Sequence, residues 1–175
     1  MTARDASEAF DRRCAPANAL AADADAIAAA CHAMARRFHR GGRLIVFGAV
    51  GSMSDAAHVV VEFVHPVVVG KRALPAFALT GPRRPSQLEL LAEPADIALG
   101  IAGGPDDEVG ETLAAAGRLG LLTVALFGGA HPPAVDHPLV VASGDPLVVK
   151  EVQVTTYHVL WELVHVFLDQ PGLLS

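Results

Sequence analysis

Two short segments of the sequence repeat one pattern of chemically active side chains. In each, a histidine is followed by a glutamate four residues later and by a second histidine three residues after that: His58, Glu62 and His65, then His158, Glu162 and His165. At about 3.6 residues per helical turn, positions i, i+4 and i+7 lie along one stripe of a helix. Imidazole and carboxylate groups on such a stripe can transfer protons near neutral pH or bind a metal ion.

Three interpretations of these stripes stay open. If the two stripes face each other, all six side chains offer ligands for zinc or another first-row metal. A smaller site would use only His58, Glu62 and His158. In the third interpretation, the same side chains are surface pairs, helix-end residues or contacts with a partner subunit.

The elements that must position these residues alternate along the chain. Short apolar runs rich in branched residues predict buried strands, and segments with apolar residues at helical spacing predict helices. The strands are expected at 43–47, 76–80, 96–101, 121–126 and 137–142, and the helices at 22–39, 54–64, 86–91, 105–119 and 146–168, after a first helix that ends near Pro16.

This alternation predicts an α/β fold, because right-handed crossovers place helices on both faces of a parallel sheet. We expect a three-layer sandwich around a five-stranded parallel sheet of the doubly wound, flavodoxin-like kind. Residues 1–175 are expected to form one domain, with an N-terminal helical arm over 1–40 and an α/β core over 41–175. Ligands of such sheets bind beyond the carboxyl ends of the strands, which directs attention to the loops 48–52 and 102–107.

Composition excludes several classes of protein. The net charge of −6 and the pI near 5.7 argue against partners such as nucleic acids or anionic membranes. No apolar stretch has the length of a membrane span or of a signal core. Cys14 and Cys31 lie in segments that are predicted to be helical, so a disulfide framework is not expected. These features favour a cytoplasmic protein.

Residues 41–63, GGRLIVFGAVGSMSDAAHVVVEF, resemble the first strand, loop and helix of the phosphoheptose isomerases, which have the sugar isomerase (SIS) fold. Asp55, His58 and Glu62 match the pattern of that family in type and spacing. His158 falls where the family has a histidine in its last helix. The resemblance extends over nearly the whole chain.

The resemblance implies an isomerase that binds a sugar or carbohydrate derivative and moves a proton between adjacent carbons. It implies that His58, Glu62 and His158 are catalytic, with zinc bound there in some members, and that the protein forms a homotetramer. The positions that would contact the substrate are Gly48, Gly51, Ser52, Asp55, Gly103, Gly104 and Lys150.

The phosphate-binding segments depart from the family pattern. The family has a loop rich in serine and threonine after the third strand, whereas residues 101–108 of this chain contain no hydroxyl group. Asp106, Asp107 and Glu108 occupy the first turn of the next helix, where they would repel a phosphate dianion. Weaker phosphate binding is therefore predicted.

Three other positions also differ from the family. Ala49 and Val50 replace an Asn-Gly pair in the first loop, and Lys150 replaces a glutamine. An ammonium group at position 150 would oppose a metal cation or hold an anionic substrate. The sequence thus leaves three functions open: a divergent isomerase, a non-catalytic SIS module that binds a sugar derivative or a protein, and a metal-binding protein or metalloenzyme on the same scaffold.

Overall fold

A five-stranded parallel sheet forms the centre of the computed structural model, which describes residues 3–174. The strand order is β2-β1-β3-β4-β5, with parallel pairing throughout. The strands are β1 Leu44–Gly48, β2 Ala76–Ala78, β3 Ile97–Ala102, β4 Leu122–Gly128 and β5 His137–Val141. The predicted three-layer α/β sandwich is confirmed.

Six α-helices pack around the sheet within the described range. They are α1 Ala3–Ala21, α2 Ala24–His39, α3 Met53–Val64, α4 Arg84–Leu91, α5 Asp107–Arg118 and α6 Pro146–Leu168. The side chains of Asp106 and Asp145 accept hydrogen bonds from backbone N–H groups in the first turns of α5 and α6. Such N-caps fix where these helices begin.

The predicted break near Pro16 is wrong, because α1 continues through Pro16 to Ala21 and the chain turns only at residues 22–23. Proline within a helix lacks one N–H donor and usually disrupts the helix. Here Pro16 is buried, and Leu20 one turn later belongs to the core. Packing of this apolar face therefore outweighs the missing hydrogen bond.

Alternate residues of the strands divide the core into two layers. Leu44 and Val46 of β1 point into one layer, which is filled by α2, α3 and α6. Ile45 and Phe47 point into the other layer, which is filled by α4 and α5. Because α3 and α6 lie in the same layer, residues near one end of both helices can meet.

The long helix α6 is buried along most of its length, including Tyr157, Leu160 and Val164. This explains why its sequence is apolar on several sides. No helix within residues 3–174 combines the length and the apolarity that crossing a bilayer requires.

Candidate functional site

The loop after β1 turns the chain sharply into α3. The backbone N–H of Ala49 donates to the carbonyl of Ile101 on the neighbouring strand, and a short 3₁₀ turn over Val50–Ser52 follows. A Cβ atom at Gly48 would lie 2.7 Å from the carbonyl oxygen of Ser52. Glycine at position 48 therefore allows the close backbone contact that sets the start of α3.

Three side chains from α3 and α6 meet beyond this turn. The Oε1 atom of Glu62 lies 3.1 Å from Nε2 of His58 and 3.8 Å from Nε2 of His158. The two imidazole rings meet edge to face, with their centroids 5.2 Å apart. The Glu62 side chain is 15% exposed, and the two histidine side chains are 45% and 42% exposed. The cluster is thus open to a solute while its carboxylate is largely enclosed.

Tyr157 of α6 contacts His58 of the cluster, a role that was not predicted from the sequence. Its hydroxyl lies 2.9 Å from Nδ1 of His58. Burial and, to a smaller extent, the charges of Asp55 and Glu62 raise the pKa of Tyr157 to about 12, so the phenol keeps its proton. The carboxylate of Glu62 accepts the Nε2–H of His58, and in the neutral ring Nδ1 then accepts the tyrosine proton. This chain of hydrogen bonds fixes the orientation of the His58 ring.

Lys150 and Asp55 form an ion pair beside the first loop. The ammonium group also donates to the carbonyl of Gly51 at 3.1 Å. Asp55 is buried, and Lys150 is partly exposed. The charge of Lys150 is therefore balanced within the chain, and the pair ties α6 to the beginning of α3.

The loop after β3 brings no hydroxyl group to the site. Gly103 is exposed and Gly104 is half-buried, and Asp106 caps α5 by accepting the N–H of Val109. Glu108 pairs with the buried guanidinium of Arg84, which also donates to the carbonyl of Gly48. The hydrogen bond from Arg84 lowers the pKa of Glu108 and outweighs the opposing effect of desolvation. A carboxylate of the chain itself thus occupies the first turn of α5.

The remaining residues of the two predicted stripes lie outside the cluster; they are His65, Glu162 and His165. His65 and Glu162 are exposed. His165 is buried, and its ring nitrogens lie 2.9 Å and 3.1 Å from the carbonyl oxygens of Trp161 and Arg72. Helical spacing correctly placed His58 and Glu62 together on α3, but only the first residue of the α6 stripe, His158, joins them.

Among residues 3–174, His58, Glu62 and His158 form a group of side chains with potential metal-ligand atoms. One ligand atom from each lies within 4.8 Å of the other two. Two imidazole nitrogens and one carboxylate oxygen are a donor set that zinc accepts, with a fourth position left for water or substrate. The same three groups can serve as acid and base without a metal.

The chain is similar to known proteins both in sequence and in structure. No family model matches the chain. The chain is 34% identical to the phosphoheptose isomerase of Solidesulfovibrio magneticus, over 83% of this chain and 80% of that protein. It is 33% identical to the phosphoheptose isomerase of Geotalea daltonii, over 79% and 82%. The structure of a phosphoheptose isomerase from Francisella tularensis has a TM-score of 0.79 and 25% identity, covering 94% of this chain and 98% of that one.

Proposed function

Because this chain belongs to the phosphoheptose isomerase family of SIS proteins, we propose that it interconverts the aldose and ketose forms of a sugar phosphate. The observation that carries the proposal is the position of the Glu62 carboxylate between the imidazoles of His58 and His158. The three groups lie on one partly exposed surface between α3 and α6, where a solute can reach them.

The reaction needs one group that removes a proton from carbon and one that protonates oxygen. We assign the first role to Glu62. It takes the proton from the carbon next to the carbonyl, and the electron pair of that C–H bond becomes the second bond of an enediol. An imidazole N–H of His58 or His158 gives a proton to the carbonyl oxygen. Glu62 then returns its proton to the former carbonyl carbon, while the hydroxyl on the other enediol carbon gives its proton to the imidazole and becomes the new carbonyl, which balances the isomerisation.

In an alternative form of the proposal, a divalent metal such as zinc takes the place of the imidazole proton donor, since the donor set fits it. His58, Glu62 and His158 would hold the ion. When bound, the ion would polarise the carbonyl group and favour removal of the adjacent proton. Nδ1 of His58 would then carry the ring proton and donate it to the hydroxyl oxygen of Tyr157, as metal-bound histidines do to their outer partners.

The anionic end of the substrate is held differently from the family pattern. The first turn of α5 presents Glu108, paired with Arg84, and the loop before it has no hydroxyl group. A phosphate at that helix start would face a carboxylate instead of free N–H groups. We therefore propose that this chain tolerates a substrate without phosphate at that position better than its relatives do.

A non-catalytic role is the second candidate, and one observation favours it. The Arg84–Glu108 pair fills the helix start that would otherwise attract an anion, while Ala49 and Val50 make the first loop apolar. Such a site can retain a sugar derivative without converting it. Turnover by the purified protein separates this candidate from the isomerase.

Self-association is also proposed, because apolar side chains are exposed on α3 and in the loop that follows it. Val61 of α3 and Val67, Val68 and Val69 in the following loop form this patch, and Val69 is fully exposed. Burial of such a patch against a second copy would stabilise an oligomer.

The test of the isomerase proposal is conversion of sedoheptulose 7-phosphate, and of the unphosphorylated heptulose, followed by NMR. Wild-type protein should form the aldose product. Glu62→Gln should lower the rate at least a hundredfold, since general acid–base catalysis contributes about 10²–10⁴. Glu111→Gln, at an exposed position of α5, is the matched control. Absence of product with wild type, or equal rates for the two variants, would overturn the proposal.

A further inference from the structure

A cavity lies beside the amino ends of two central strands, and none of its lining residues belongs to the candidate active site. It has a volume of about 490 Å³ and is lined by Ala33, Arg36, Arg37, Arg40, Pro94, Ala95 and Leu122. Pro94 and Ala95 precede β3, and Leu122 is the first residue of β4. These positions mark the amino ends of the strands, so the cavity is distinct from the cluster around Glu62.

Two of the three arginines of this cavity have side chains without a hydrogen bond or ion pair to the described residues. Arg37 donates to the carbonyls of Pro94 and Gly120, which fixes one wall. Arg36 has its Nε atom buried without a hydrogen-bond partner. No partner is found for the side chains of Arg36 and Arg40 among residues 3–174, and the residues that line the cavity include no carboxylate.

In other parts of the chain, the positive charge of arginine is balanced by a carboxylate. Four arginines pair in this way: Arg4 with Glu8, Arg13 with Glu151, Arg43 with Asp96, and Arg84 with Glu108. The arginine side chains of the cavity are also not required as hydrogen-bond donors to the last carbonyl groups of α2. The N–H groups of Gly41 and Gly42 already donate to the carbonyls of Phe38 and Arg37. Their charge is therefore available to a ligand.

We propose that this cavity binds a phosphorylated small molecule. Guanidinium groups match the oxygens of phosphate in a two-pronged geometry, and three of them in one concave surface favour a multiply charged anion. The volume exceeds that of inorganic phosphate and falls in the range of small-molecule sites. The apolar walls at Ala33, Pro94 and Leu122 would contact the organic part of the ligand.

Calorimetric titration of the protein with inorganic pyrophosphate tests the proposal. The wild type should bind in a saturable manner at 0.15 M salt, where isolated exposed charges are largely screened. The double variant Arg36→Gln/Arg40→Gln should weaken binding at least tenfold. The control Arg12→Gln/Arg118→Gln removes the same charge from exposed positions and should leave it unchanged.

Two further variants make the outcome decisive. Binding should persist in His158→Gln, which separates this cavity from the proposed active site. Should the double variant fail to fold, the exposed Arg40→Gln alone must weaken binding. Absent binding in the wild type, equal weakening in the control, or binding of a short oligonucleotide but not of pyrophosphate would overturn the proposal.

Discussion

At the scale of single residues, the candidate site depends on how one imidazole is held. His58 lies between the carboxylate of Glu62 and the phenol of Tyr157. The first contact could be predicted, because residues four apart on a helix share a face. The second could not, since nothing in the sequence indicates which side of α6 a buried tyrosine presents to α3.

Tyr157→Phe removes the hydroxyl that orients His58 and retains the ring that fills the core. We expect kcat to fall about tenfold or more with little change in KM, because outer-shell partners of catalytic or metal-bound histidines typically contribute 10–100-fold. Steady-state kinetics gives this split, and thermal unfolding checks the fold. An unchanged kcat would show that Tyr157 serves the core alone.

The buried carboxylate of Asp96 is expected to stabilise the folded protein through its ion pair with Arg43. Asp96 is buried, and its carboxylate binds the guanidinium of Arg43 at 2.6 Å. Burial alone would raise the pKa of Asp96, but hydrogen bonds from the Arg43 side chain and from the N–H groups of Glu93 and Arg43 outweigh burial and lower it.

A lowered pKa in the folded state stabilises the protein above the unfolded value, about 3.9, and this contribution is lost as pH falls through the folded pKa. Asp96→Asn should therefore lower the free energy of unfolding by about 2 kcal/mol at pH 7. The difference from wild type should shrink below about pH 4. Urea unfolding at pH 7 and pH 3 measures it, and a difference that grows in acid would contradict the assignment.

At the scale of elements, the parallel sheet and all helices except the first followed closely from the sequence, because strands and helices alternate and α6 starts at Asp145-Pro146. The break at Pro16 did not follow, since local propensity gave way to packing of a buried face. The crossing of α3 and α6 was also beyond sequence reasoning. Periodicity defines a stripe on each helix but not the angle between two helices.

The turn between β1 and α3 yields a test with a matched control. Gly48→Ala would place a methyl group against the backbone of Ser52, whereas a Cβ at Gly51 meets nothing within 4 Å. We expect Gly48→Ala to destabilise the protein by about 1–3 kcal/mol and to reduce activity by shifting α3. Gly51→Ala should be close to neutral in thermal unfolding. Similar effects of both changes would refute the role of this turn.

At the scale of the whole molecule, the exposed apolar patch predicts that the protein forms an oligomer. Val67 and Val69 lie exposed in the loop that follows α3. We expect light scattering to give a mass near four times the 18.1 kDa of one chain. Val67→Asp/Val69→Asp should lower that mass, because buried carboxylates oppose association. Leu90→Asp, an exposed apolar residue of α4, is the control; a monomeric wild type would rule out the oligomer.

The central claim is that Glu62 transfers a proton at carbon. Conversion of the sugar phosphate in D₂O, followed by NMR, tests it most directly, because a cluster flanked by half-exposed imidazoles should exchange the proton with solvent. Wild-type protein is predicted to place deuterium on the carbon that receives the proton, and Glu62→Gln to form almost no labelled product. Labelled product formed at the same rate by Glu62→Gln would contradict the account.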